Sequence, residues 1–141
     1  MTDREPKDRI THLLKLASKA TSRAMQDRLA KHGVSYGHWT FLRILWHTDE
    51  ITITELAQLA GVAKPAAVTS VKAMEKLGYT TRKKKFGNQK SVYITLTPFG
   101  RSLEELLLPL AIEVNDSALQ GISHDREKEL KEILSRIIEN F

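Results

Sequence analysis

The chain has 141 residues, 41% hydrophobic and 28% charged, the proportions of one ordinary globular domain rather than of a disordered chain. It contains no cysteine, which excludes disulfides, thiolate-bound zinc and any cysteine-based redox switch. The net charge of +5 is unevenly spread: between Val62 and Lys90 eight cations oppose Glu75 alone, whereas from Arg101 onward nine acids oppose five cations.

The opening MTDREPKDRI lacks the apolar core of a signal peptide, and no apolar run approaches the ~20 residues of a membrane span, so a cytoplasmic chain is expected. Ile10, Leu13, Leu14, Ala17, Ala20 and Ala24 then recur at helical spacing and predict a long amphipathic helix over about 7–32, stopped by Gly33. Ser35 caps a second helix that carries Trp39, Leu42, Leu45 and Trp46 and ends near His47. TITE, Thr52 to Glu55, is a capping box: the Thr52 hydroxyl accepts from the Glu55 amide while the carboxylate returns a bond. It opens the short helix ITELAQLA, which Gly61 ends. Pro65 sits in the first turn of the next helix, predicted from Lys64 to Leu77, with Ala67, Val71 and Met74 inward and Gly78 as its stop. Two helices joined by a tight glycine turn make a helix-turn-helix.

The periodicity then changes to two. YTTRKKKF and KSVYITLT flank Gly87, Asn88 and Gln89, and Val92, Ile94 and Leu96 alternate with polar neighbours, which predicts a β-hairpin with one buried face. Thr97 and Pro98 start a long helix that Pro109 should kink, and Ser123 precedes a last helix striped with Leu130, Ile133, Leu134, Ile137, Ile138 and Phe141. The expected fold is therefore mainly α: a winged helix-turn-helix over residues 35–97, with long terminal helices, 1–34 and 98–141, as a dimerisation region. Those terminal helices carry more apolar surface than so small a core absorbs, which points to self-association.

Three groups of residues are candidates for function. On the helix that starts at Lys64, the outward Lys64, Pro65, Ala66, Thr69 and Lys72, with Ser70 at the border, suit the major groove. There lysine donates to guanine and small side chains meet thymine methyls; Lys76 is placed for phosphate. The alternative, a solvated basic face, fits less well because small side chains lie between the lysines. On the hairpin, Arg82, Lys83, Lys84, Lys85 and Lys90 reach phosphates from both faces, and Asn88 and Gln89 occupy the turn. With no anionic partner these stacked cations would repel one another, so a purely structural hairpin is disfavoured. Third, His38, Trp39, Arg43 and Trp46 gather on the second helix as a candidate pocket for an anionic small molecule, although Trp39 and Trp46, seven apart on one face, suit a core better. His38 and His47 lie nearly opposite around the helix and make no metal pair; no metal or cofactor is expected. No hydrolase, zinc-protease or phosphate-loop motif is present, so an enzyme is not expected.

The whole pattern resembles the MarR family of bacterial transcriptional regulators. The likeness rests on ITITELAQLAGVAKPAAVTSVKAMEKLGY for the two reading helices and on YITLTPFG, an L-T-x-x-G sequence after an alternating strand. The resemblance implies a homodimer, built from the first and last two helices, that holds two winged helices on a pseudo-palindromic duplex DNA site. It further implies a repressor released by a small, often aromatic and anionic effector bound between dimerisation helices and DNA-binding block; aromatic acids or their thioesters are expected. Three departures stand out. Ala63 replaces the usual Ser or Thr cap of the reading helix, Asn88-Gln89-Lys90 stands where relatives carry an arginine that enters the minor groove, and the family's thiol sensors need a cysteine. Two other readings of the same basic winged helix stay open: a module that binds an acidic protein, and an architectural protein that binds any duplex.

Overall fold

The computed structural model describes residues 6–84 and 91–141, so the turn residues Lys85, Asn88, Gln89 and Lys90 lie outside the described residues. Helix α1 runs Arg9–Ala30, a little shorter at each end than the periodicity suggests. It stops because Gly33, at φ +69°, lets the Val34 amide turn back onto the Leu29 carbonyl at 3.3 Å. α2 (Tyr36–His47) starts where the Ser35 side chain accepts from the His38 amide, and it contributes Trp39, Phe41, Leu42 and Leu45 to the core.

A two-residue strand, β1 (Ile51–Thr52), precedes α3 (Ile53–Ala60) and was not anticipated. The Thr52 hydroxyl accepts from the Glu55 amide at 3.1 Å as expected, but the carboxylate takes its return bond from that same hydroxyl, at 3.0 Å, instead of from the Thr52 amide. Thr52 itself lies in β1, opposite Tyr93. Gly61 ends α3 in the left-handed conformation. α4 (Lys64–Lys76) follows, with Ala67, Val71 and Met74 buried. β2 (Thr80–Lys84) and β3 (Val92–Leu96) pair antiparallel, and β1 adds to the far side of β3, so the wing is a three-stranded sheet in the order β1-β3-β2.

α5 (Pro98–Ala118) passes through Pro109 as one helix, and α6 (His124–Glu139) closes the described chain. The L-T-x-x-G sequence is the seam between α4 and α5. Thr97 caps α5 by accepting from the Gly100 amide at 3.0 Å, and its own hydroxyl donates to the Gly78 carbonyl. Gly100 is buried against the Tyr79 carbonyl, where a side-chain carbon would stand 2.0 Å from the oxygen. One core joins these elements, centred on Leu29, Leu42, Leu45, Leu56, Met74, Ile94 and Leu107. No residue of α6 is fully buried: Leu134 and Ile137 are half-buried, while Leu130, Ile133 and Ile138 stay exposed, as do Ile10, Leu13 and Leu14 of α1.

Candidate nucleic-acid interface

α4 is turned so that its inner stripe anchors it and its other face is free. Lys64, Pro65, Ala66, Thr69, Lys72 and Lys76 are all exposed, and Ser70 is half-buried at the edge. The Thr69 hydroxyl donates back to the Pro65 carbonyl at 3.2 Å, which leaves its methyl and a lone pair outward. Ala63 supplies no side-chain cap. Pro65 offsets that loss, since it removes one of the amides that would otherwise need an acceptor.

The first wing strand differs from the sequence reading in one respect. Its cations are not all without anionic partners. Arg82 lies on the face of the sheet shared with Ile94, next to α4, and pairs with Glu75 through Nε at 2.5 Å. Lys83 points the other way, beside Tyr93, and its Nζ reaches Glu50 at 2.8 Å. The Glu50 carboxylate, by hydrogen bond and by charge, holds the Lys83 ammonium above its ordinary value. Lys84 is exposed. The repulsion argument therefore fails for Arg82 and Lys83, because residues distant in sequence supply the counter-charges.

Glu50 belongs to a turn that ties several elements together. The preceding Asp49 accepts from its own neighbour's amide at 2.9 Å and from the Leu96 amide at 3.0 Å, and takes a 2.6 Å ion pair from Arg101 of α5. Glu50 itself has φ 57°, the only described non-glycine residue in left-handed space.

The four residues gathered on α2 separate. Trp39 and Arg43 line a cleft of about 230 Å³ between α1, α2 and α5, together with Tyr36, Thr40 and Asn115. Trp46 stacks edge-on to Trp39 at 5.7 Å and donates its indole N–H to the Gly100 carbonyl at 3.0 Å, so it belongs to the α5 seam. His38 packs edge-on against Tyr79 at 6.3 Å on the α4 side, where burial lowers its pKa. Tyr36 and Thr40 escaped the sequence reading, although their spacing with Arg43 places all three on one face of α2. Among the described residues there is no cluster of three or more metal-ligating side chains, and no helix is long and apolar enough to cross a membrane.

Comparison with known proteins adds the family. Residues 34–92 match the model of the MarR family. That segment is similar to a MarR-family domain. Outside that domain the likeness continues. The organic hydroperoxide resistance transcriptional regulator of Bacillus subtilis is 25% identical over 130 residues, 92% of this chain and 85% of the relative. A putative MarR family regulator from Listeria monocytogenes, solved in complex with a 26mer DNA, superposes with TM-score 0.87 at 19% identity, covering 92% of this chain and 87% of that one. BpsR of Bordetella bronchiseptica, solved to explain regulation of its DNA binding by 6-hydroxynicotinic acid, gives TM-score 0.83 at 16% identity over 92% and 98%. At these identities the superpositions establish the MarR winged-helix fold.

Proposed function

We propose that the protein is a homodimeric, sequence-specific transcriptional repressor, acting in the cytoplasm on duplex DNA, that a small aromatic acid releases from its operator. The observation that carries this reading is the exposed Lys64–Thr69–Lys72–Lys76 face of α4, beside the exposed Lys84 of the wing on a MarR-family domain. Lysines spaced with small residues on a helix of this kind read a major groove and its phosphates. Residues 35–97 are assigned to DNA and residues 1–34 and 98–141 to dimerisation. Support for the second assignment is the apolar surface on α1, α5 and α6 that the single chain leaves open, including Ile10, Ile112 and Ile133. The role is binding; nothing in the candidate sites calls for catalysis.

The cleft at Arg43 supports the effector. A cavity of about 150 Å³ already holds benzene, so 230 Å³ suits a single ring with a carboxylate. Trp39 offers a ring face, Arg43 a guanidinium for the carboxylate, and Thr40 and Asn115 polar contacts. The Bordetella relative's 6-hydroxynicotinic acid is of this class.

Fluorescence anisotropy on a duplex selected from a random library tests the reading, first across salt and then with single-ring aromatic acids. Binding that weakens steeply with salt, favours the selected duplex over random DNA and is reversed by one of the acids is expected. Equal affinity for every duplex would instead indicate an architectural protein, and no affinity at low salt a protein-binding module. Arg43→Ala should keep DNA binding and lose release.

A further inference from the structure

Glu75 and Glu50 occupy costly positions. Glu75 is the only acid between Val62 and Lys90, on a surface read above as meeting a polyanion, where a carboxylate repels phosphate. It also sits in the last turn of α4, where the helix dipole disfavours negative charge. Glu50 holds a left-handed backbone that an acidic side chain adopts only at an energetic cost. Both costs have the same offset. Each carboxylate grips a neighbouring residue of β2, and from opposite faces: Glu75 takes Arg82 on the α4 side, and Glu50 takes Lys83 on the other.

We propose that Glu75 and Glu50 are positioning residues that clamp the first wing strand from its two faces, so that Arg82 and Lys83 set the angle of the wing against the reading helix instead of neutralising phosphate. The inference rests on the DNA-binding reading and deepens it. Asp49 gives the clamp a fixed base, because its bonds to Leu96 and Arg101 lock the Glu50 turn to β3 and α5. Phosphate contact then falls to Lys84, the exposed β2 cation that has no acid partner among the described residues.

The sign of one substitution separates the clamp from a bystander. Glu75→Gln removes a negative charge and frees Arg82, so simple electrostatics has it binding DNA more tightly. The clamp has it binding about fivefold more weakly, the worth of a well-ordered surface ion pair. Anisotropy titrations on the selected duplex over a salt series would compare wild type, Glu75→Gln, Arg82→Ala, Lys84→Ala and the swap Glu75→Arg with Arg82→Glu. Expected are weaker binding by Glu75→Gln and Arg82→Ala with an unchanged salt slope. Lys84→Ala should lose about 0.9 of the slope per phosphate contact, and the swapped pair should recover affinity. Circular dichroism melts check that each variant is folded, and the swap shows that any loss comes from the pair. Tighter binding by Glu75→Gln, or a salt slope lowered by Arg82→Ala as much as by Lys84→Ala, would overturn the clamp while leaving DNA binding intact. A wild type that binds no duplex would defeat both readings.

Discussion

Replacing Gly100 by alanine tests the seam that holds the end of α4 against α5. The new methyl carbon would stand 2.0 Å from the Tyr79 carbonyl oxygen and 3.2 Å from a Leu96 methyl. Carbon and carbonyl oxygen rest at about 3.3 Å or more, so α5 and the Tyr79 backbone must separate by about 1 Å. That carbonyl accepts from the Thr97 amide at 3.0 Å, and the Gly100 carbonyl receives the Trp46 indole at 3.0 Å, so separation disturbs two half-buried bonds as well. Overpacking costs about 1–3 kcal/mol and the two weakened hydrogen bonds about 1 kcal/mol together, for a total of roughly 2–4 kcal/mol. In a domain of this size the melting temperature should fall by roughly 10 °C. Urea and thermal unfolding at one fixed protein concentration measure it, since an oligomer's stability depends on concentration. A Gly100→Ala protein within ~0.5 kcal/mol of wild type, the range of a neutral surface change, would refute the argument.

Two further outcomes are expected. His38 is half-buried against Tyr79 and its folded pKa lies below 6.5, so its contribution to stability is complete above that value and is lost as pH falls through the folded one. Thermal melts from about pH 7.5 down to 5 should fall for wild type and flatten for His38→Gln; parallel curves would remove His38 as the cause. Ile133 is 54% exposed in the single chain. Ile133→Glu should shift sedimentation from dimer to monomer with helix content kept, and a dimer that survives it together with Ile138→Glu would exclude α6 from the interface.

What the sequence disclosed followed the range of the interactions involved. The caps Ser35, Thr52 and Thr97 and the stops Gly33 and Gly61 were readable because each acts within a few residues. Periodicity likewise revealed the inward faces of α4 and β3. β1 was hidden because two residues show no alternation, and its register partners Ile94 and Tyr93 are far along the chain. The same distance hid the ion pairs, since Lys83 meets Glu50 across 33 positions and Arg101 meets Asp49 across 52. The α2 cluster was half readable. Helical spacing gathered the right residue types, but only the packing of α1 and α5 divides Trp39 and Arg43, in the cleft, from Trp46 and His38.

The charge run on β2 shows why composition overstates an interface. Counted along the chain, Arg82, Lys83 and Lys84 are equivalent cations on one strand. In space two of them face carboxylates at 2.5 and 2.8 Å, and a phosphate would have to displace those partners before meeting the cation. Displacement leaves Glu75 or Glu50 unpaired beside the same phosphate, so the exchange loses one attraction and adds one repulsion for each bond gained. On the proposed reading, Lys84 would meet phosphate without that exchange. A cluster of like charge thus divides into cations already paired within the fold and cations left to the solvent side, and the division is set by where the few acids lie.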